Sequence, residues 1–154
     1  GDAARDVVAA FKQGHPGALP FEIAAVIGAT ATFRVSAVKQ AQLQAANAPA
    51  YLYWFAWKTP VLDGTPLAYH CSGLAFAFDN IDSCANATGG TQEARELATK
   101  VSQAWIQFAR TGNPNHSGLP RWPAVSASAL PTMIFDTRCE VRDDPDAAER
   151  KALG

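Results

Sequence analysis

The sequence is poor in the residues that mark several common classes of protein. It has one methionine, Met133, three cysteines, Cys71, Cys84 and Cys139, and only 18% charged residues in 154 positions. Three scattered cysteines are too few for the disulfide framework of a small secreted domain, and their odd number leaves at least one unpaired within the chain. The formal net charge of −1 gives no electrostatic basis for binding nucleic acid or an anionic lipid surface.

Long hydrophobic runs and targeting signals are also missing. No run of 18 apolar residues is present, so we expect no membrane-spanning helix. Position 1 is not methionine and no signal peptide follows, so we expect Gly1 to be a cut, a processing site or the first ordered residue of something longer. The sequence therefore gives no prediction of localisation. With 48% hydrophobic residues and no internal linker or repeat, residues 1–154 are predicted to have no internal domain boundary.

The order of the predicted elements indicates an α/β fold. Helical periodicity predicts helices at residues 2–13, 21–27, 32–46 and 91–110, and Thr32 is the expected cap of the third. The run YLYWFAW, residues 51–57, favours a strand covered on both faces, because aromatic and apolar residues fill every position. A core helix segment competes, but the run is short for one. A second strand is predicted at 132–136, before a charged helical tail. Two short strands make a poor sheet, so the chain is expected to need strands from elsewhere.

Three histidines are the candidates for chemistry. His15 lies in a Pro-Gly turn and His116 in a Ser/Gly/Asn loop, so both are predicted to be surface residues. His70 lies in PLAYHCSGLAFAFDN, a loop that follows the predicted aromatic strand. Functional side chains of α/β folds lie on loops at the carboxyl ends of strands. The alternative is a core histidine that makes one backbone hydrogen bond.

The chain lacks partners that would complete a site around His70. Cys71 is adjacent and points away on an extended loop, and Ser72 lies in no Gly-x-Ser-x-Gly turn, a motif absent from the sequence. No Cys-x-x-Cys or His-Glu-x-x-His motif is present, so no metal site is predicted. ATGGT, residues 87–91, matches no phosphate-binding fingerprint. The chain therefore contains at most one piece of a catalytic site.

Several long blocks resemble the C-terminal third of the type-B carboxylesterases, the α/β-hydrolase family that includes the cholinesterases and para-nitrobenzyl esterases. The block ATFRVSAVKQAQLQAANAPAYLYWFAW is similar to the family's Phe-Arg helix and the aromatic strand that follows it. The block LAYHCSGLAFAFDN is similar to the loop that presents the family's histidine. Two later blocks, which are also similar to segments of the family, are AWIQFARTGNPNHSGLPRWPAV and TMIFDTRCEVRDDPDAAERKAL. Blocks of this length in the family's order make the resemblance specific.

The resemblance implies the C-terminal part of an α/β-hydrolase sheet with flanking helices, incomplete without upstream segments. It implies carboxylic ester hydrolysis by a Ser-Glu/Asp-His triad in which His70 is the general base. The nucleophilic serine, the acidic residue and the oxyanion loop would then come from an upstream part of the same protein. The implied substrate is a small apolar ester, and no cofactor is needed. Phe33 and Phe76 are candidates for the wall of the substrate pocket, with core packing as the alternative for each.

The sequence departs from the family pattern after His70. The family usually has Glu or Asp where this chain has Gly73, and proline where it has Ala75. The acidic residue would stabilise the loop, so its loss leaves the role of His70 intact. Two other interpretations remain open. One is a non-catalytic, cholinesterase-like interaction domain, and the other is a small α/β binding domain in which His70 is structural.

Overall fold

The computed structural model describes all 154 residues, in which seven α-helices surround a three-stranded sheet. The helices are α1 (Asp2–Gly14), α2 (Pro20–Ala29), α3 (Val35–Ala45), α4 (Leu74–Ala77), α5 (Ala85–Thr88), α6 (Gln92–Thr111) and α7 (Ala147–Leu153). The strands are β1 (Leu52–Phe55), β2 (Pro131–Phe135) and β3 (Glu140–Asp143).

The sheet has the order β1, β2, β3 and is mixed. β1 runs parallel to β2, with Leu52 opposite Thr132, whereas β2 and β3 are antiparallel, with Met133 opposite Val141. The aromatic strand predicted from the sequence is therefore present, but only one of its edges is paired within this chain. Its expected cover on both faces is incomplete, because Tyr53 is 44% exposed. A free edge and an exposed aromatic side chain are the features expected of a partial sheet.

Helix α6 covers one face of the sheet and has clear signals at both ends. The Thr91 hydroxyl accepts a hydrogen bond from the Ala94 N–H at 3.1 Å, and Gly112 ends the helix at φ 73°, a left-handed conformation that favours glycine. In its first turn, Glu93 accepts a hydrogen bond from the Trp57 indole at 2.8 Å, which ties the helix to the segment after β1. The main core lies between α6, α4 and the sheet, and its largest buried members are Trp57, Phe76, Leu97, Trp122, Met133 and Phe135.

The opposite face of the sheet is covered by α3, which continues α2. A smaller core forms there from Val38, Ala41, Leu52, Val125 and Leu130. Leu52 lies in this smaller core, whereas Phe55, which points to the opposite face of the strand, packs against the main core, so β1 contributes to both cores. The sequence-based expectation of flanking helices on the sheet is confirmed.

The expected start of a helix at Thr32 is wrong. Helix α2 begins at Pro20, where the Glu22 carboxylate accepts a hydrogen bond from the Leu19 N–H at 2.6 Å, and it runs into α3 without a break. The two are joined by one π-helical turn at Thr30–Arg34. A threonine caps a helix only where the preceding chain is non-helical, and here the residues before Thr32 are helical.

The joined helix, Pro20–Ala45, is 26 residues long and by length and composition alone could cross a membrane. The sequence-based expectation of no membrane-spanning helix relied on the lack of an unbroken apolar run, and this helix meets the length and composition criterion without such a run. The helix nevertheless carries Arg34, whose side chain is mostly buried in an ion pair with Asp146. Val38 and Ala41 lie in the smaller core. The apolar residues on one side of the helix are therefore accounted for by packing against the sheet.

The end of the chain also differs from the expected charged helical tail. Residues Glu140–Asp143 form β3, and only Ala147–Leu153 are helical. The strand carries three charged side chains and shows no apolar alternation, so its pairing with β2 is decided by the neighbouring strand and not by its own pattern.

Candidate functional site

His70 lies in a tight turn that follows β1 along the chain. The turn is closed by hydrogen bonds from the Ser72 N–H to the Tyr69 carbonyl and from the Leu74 N–H to the Cys71 carbonyl, both 3.0 Å. Cys71 has φ 68°, an uncommon conformation for a residue other than glycine. The turn leads directly into α4, so a regular element holds its far end.

The last residue of β1 packs against this turn. A Cβ atom added to Gly73 would lie 3.3 Å from the Phe55 ring, which is tighter than ordinary contact. Gly73 is the position where the family usually carries an acidic side chain. The Phe55 ring therefore occupies the direction in which a side chain at position 73 would leave the backbone.

The imidazole of His70 is exposed and stacks on the ring of Phe33. The two ring centroids are 5.6 Å apart and the ring planes are 14° from parallel. Neither ring nitrogen of His70 makes a hydrogen bond within the chain. The alternative of a core histidine with a backbone hydrogen bond is therefore wrong. The structure thus brings together His70 and Phe33, two residues singled out in the sequence.

Phe76 does not join this pair. Its side chain is fully buried and lies 4.9 Å, centroid to centroid, from both Phe55 and Trp57. Phe33 is 60% exposed. Of the two candidates for a pocket wall, Phe33 alone reaches the surface beside His70, and Phe76 has the core position that was its alternative.

A buried ion pair next to Phe33 was not predicted from the sequence. The Arg34 guanidinium donates to both carboxylate oxygens of Asp146 at 2.9–3.2 Å, and to the Thr132 hydroxyl at 3.2 Å. It also lies 5.7 Å from the centre of the Trp54 ring. Asp146 accepts a further hydrogen bond from Arg150 at 3.2 Å. The only hint of this ion pair in the sequence was the Phe-Arg pair itself. Phe33 faces His70, and Arg34 fixes the helix to the sheet.

The other polar candidates stay apart from His70. Cys71 is exposed and Ser72 is buried, and neither side chain hydrogen-bonds to the imidazole. His116 accepts the Gly118 N–H at Nδ1 and contacts the Lys100 carbonyl through Nε2, which is a local structural role. No group of three His, Cys, Asp or Glu side chains could hold a metal ion.

Cys139 lies away from the site at the start of β3. Its thiol donates a hydrogen bond to the Asp136 carbonyl at 3.6 Å. Burial raises the pKa of the thiol above the ordinary value, and this outweighs the lowering effects of the Asp136 backbone and the charge of Lys100. A raised pKa leaves less thiolate at neutral pH, so Cys139 is a poor nucleophile.

An apolar groove lies on the α6 face near the free edge of β1. It is lined by Tyr51, Tyr53, Trp105, Phe108, Pro114 and Trp122. Trp105 and Phe108 are 47% and 42% exposed, which is unusual for large aromatic side chains of a helix that faces a core. The groove is lined by no His, Cys, Asp or Glu side chain, and it holds no candidate catalytic residue.

Comparison with known proteins identifies the fold and the family. A profile of the carboxylesterase family matches residues 23–152, which include the whole of the His70 turn and the helix with Phe33. The chain belongs to the carboxylesterase family. Its fold is that of the α/β-hydrolases, as the family resemblance implied, because esterases of that fold are similar to it in structure over nearly its whole length.

Two relatives illustrate the similarity in sequence. The chain is 33% identical over 119 residues to the para-nitrobenzyl esterase of Bacillus subtilis, a match that covers 76% of the chain and 24% of that protein. It is 29% identical over 145 residues to the phenmedipham hydrolase of Pseudarthrobacter oxydans, covering 89% of the chain and 29% of that protein.

Two solved structures illustrate the similarity in fold. A carboxylesterase of Geobacillus stearothermophilus is similar with a TM-score of 0.80 and 32% identity, covering 97% of this chain and 32% of that one. An esterase of Clostridium hathewayi that can hydrolyse aliphatic aromatic polyesters has a TM-score of 0.77 and 28% identity, covering 99% and 29%. The chain thus spans about a quarter to a third of the length of these proteins.

Proposed function

We propose that this carboxylesterase chain supplies His70 as the general base of a Ser-Glu/Asp-His triad that hydrolyses carboxylic esters. The observation that carries the proposal is the state of the imidazole. It is exposed on a turn after β1, rests on Phe33, and has two ring nitrogens without hydrogen bonds inside the chain. One nitrogen is available to a serine hydroxyl and the other to a carboxylate.

The proposed chemistry is acyl transfer in two halves. A serine oxygen attacks the ester carbonyl while His70 removes the serine proton, and His70 then gives that proton to the departing alcohol. In the second half, His70 takes a proton from water, which attacks the acyl-enzyme and releases the acid. An imidazole suits both directions, because its ordinary pKa of about 6.5 lies close to working pH.

The proposal requires the remaining triad groups and the oxyanion donors to come from an upstream part of the same protein. No Asp or Glu side chain hydrogen-bonds to His70 in this chain, and no serine does. The unpaired edge of β1 and the aromatic groove beside Tyr53 provide the surface against which the upstream part would pack. No nucleic acid or membrane partner is proposed.

The proposed substrate is a small apolar ester. Phe33, Tyr69 and Leu74 are apolar side chains on or beside the His70 turn that remain 37% to 60% exposed. Among the relatives, one is an esterase named for para-nitrobenzyl esters and one can hydrolyse aliphatic aromatic polyesters. An ester with an aromatic or aliphatic group next to the carbonyl would contact Phe33. Phe76 is left out of this pocket, because it is buried.

Replacement of His70 in the complete esterase tests the proposal. His70→Ala should lower kcat by about 10⁴ to 10⁶-fold with little change in KM, since a general base acts on the bond-making step. Cys71→Ala is the matched control, because Cys71 is the exposed neighbour without a chemical role. A His70→Ala enzyme that kept more than about a tenth of wild-type kcat would overturn the assignment.

The non-catalytic alternative rests on one observation, the Gly73 and Ala75 departure from the family pattern. It would be supported if the complete protein hydrolysed no ester and His70→Ala changed nothing measurable. A protein that turns over para-nitrophenyl acetate and loses that activity with His70 excludes it.

A further inference from the structure

We propose that Phe33 is a positioning residue for His70, whose ring plane it fixes by stacking during the reaction. The inference rests on the proposed role of His70 as a general base. It assigns to Phe33 a task in addition to that of a pocket wall, and the two tasks predict different kinetics.

The geometry of the pair is that of a specific aromatic contact. Aromatic rings prefer offset-stacked or edge-to-face arrangements with centroids about 4.5–7 Å apart. His70 and Phe33 lie at 5.6 Å with planes 14° from parallel, which is the stacked arrangement. Among the aromatic contacts of the chain this pair is the one closest to parallel, since the others range from 56° to 86°.

Nothing polar within this chain holds the imidazole, so Phe33 would share its orientation with the carboxylate that the proposed function takes from upstream. Rotation about the bond from Cβ to an aromatic ring has a broad energy profile, so torsional preference alone does not fix the ring plane. Most histidines are oriented by a hydrogen bond from one ring nitrogen, and His70 makes none in this chain. The face of Phe33 therefore limits the tilt of the ring before any outside group reaches it.

Phe33 can do this because its own backbone is fixed, although its side chain is exposed. It lies in the π-helical turn Thr30–Arg34, inside a continuous helix. The next residue, Arg34, is anchored by three contacts to the Asp146 carboxylate and one to the Thr132 hydroxyl. The ion pair thus fixes the helix on one side, and the aromatic ring presents its face to His70 on the other.

The contact also favours the charged intermediate of the reaction. When His70 accepts a proton it becomes an imidazolium cation, and the face of an aromatic ring attracts a cation placed over it. A stabilisation that acts on the protonated ring appears in the transition state more than in the substrate complex. It therefore raises kcat and leaves KM nearly unchanged.

Substitutions that separate bulk from aromatic character test this in the complete esterase. Phe33→Leu keeps an apolar side chain at the pocket but removes the ring face. We expect kcat to fall by about two- to tenfold, the range that corresponds to the measured worth of an aromatic pair. KM should stay within roughly twofold. Phe33→Tyr and Phe33→Trp keep a ring and should retain most of the wild-type kcat.

A spectroscopic measurement on the complete esterase gives a readout independent of activity. A stacked ring shifts the resonances of the carbon-bound imidazole protons of His70 by its ring current. Phe33→Leu should remove that shift, while the signals of His15 and His116 stay in place and show that the fold is intact. Phe78→Leu is the matched control, because Phe78 is 75% exposed and contacts no other aromatic ring.

The outcomes separate the inference from the proposed function. If Phe33→Leu keeps wild-type kcat, or raises KM with kcat unchanged, Phe33 is a pocket wall only and the inference is wrong. It is also wrong if the His70 resonances do not respond to Phe33→Leu. If His70→Ala leaves kcat intact, the proposed function fails, whatever the NMR signals show. A fall in kcat with Phe33→Leu that Phe33→Trp restores, together with the loss of the ring-current shift, supports the inference.

Discussion

Asp146 is expected to be the single most sensitive polar residue for stability in this part of the fold. Its carboxylate is 2% exposed and binds two arginines, Arg34 and Arg150, whereas the Arg34 side chain is 11% exposed. Replacing Asp146 with Leu leaves Arg34 as a buried cation without a counter-charge. Loss of one partner of a buried ion pair typically costs about 3–5 kcal/mol of the free energy of unfolding.

Removing the other partner should cost less, and the difference follows from the geometry. Arg34→Met leaves Asp146 hydrogen-bonded to Arg150 at 3.2 Å, so the carboxylate keeps a cation. We expect a loss of about 1.5–3 kcal/mol, the range for a hydrogen bond to a charged group. The double variant Arg34→Met/Asp146→Leu should be more stable than Asp146→Leu alone, because it contains no unpaired charge at position 34 and Arg150 keeps Asp144.

Urea denaturation followed by circular dichroism would measure the four free energies of the resulting double-mutant cycle. A coupling energy above about 0.5 kcal/mol is expected for groups in direct contact. The reasoning is refuted if Asp146→Leu costs less than about 1 kcal/mol, the value of an exposed ion pair. It is also refuted if Arg34→Met is the more damaging of the two single substitutions.

Two further predictions concern activity and thiol chemistry. This chain assayed alone should not hydrolyse para-nitrophenyl acetate, because it holds one triad member. Serine-dependent turnover well above that of free imidazole would contradict this. In the folded chain, iodoacetamide at pH 8 should alkylate exposed Cys71 before Cys139, because burial raises the pKa of Cys139 and lowers its thiolate fraction. Raising the pH should speed the reaction of Cys139. Equal rates for both thiols at pH 8 would contradict the claim that burial of Cys139 raises its pKa.

The parts of the fold that could be predicted from the sequence are those fixed by local signals. Helix α6 has a capping threonine, helical apolar spacing and Gly112 after its end, and its observed bounds differ from the predicted ones by a residue. The aromatic strand was recognisable because Pro49 and Pro60 bound a short apolar run. The position of His70 in a turn followed from the small and turn-forming residues around it.

The parts that were wrong or missing depend on contacts between distant residues. Thr32 has the chemistry of a helix cap, but here it lies inside one continuous helix, which Arg34 joins to Asp146 at the start of α7 and to Thr132 in β2. Strand β3 forms because β2 offers it an edge, and its own charged residues give no strand pattern. For the same reason Phe33 and Phe76 looked equivalent as pocket candidates, and only tertiary packing distinguished the exposed ring from the buried one.

The π-helical turn at Thr30–Arg34 has a consequence for how this segment tolerates changes in length. A π turn is an α-helix with one extra residue accommodated, and each residue of an α-helix advances the direction of its side chains by about 100°. Deleting a single residue within the turn, such as Ala31, would restore a plain α-helix, and because the turn holds one extra residue, α2 and α3 would keep nearly the same rotation about the helix axis. With Arg34 held by Asp146, Ile23 would then keep its buried position. A deletion in the plain α-helical part of α2 would instead turn the residues before it by about 100° relative to α3. We therefore expect single-residue deletions in homologous chains to fall within this turn or in the loop that precedes Pro20, and not elsewhere in α2.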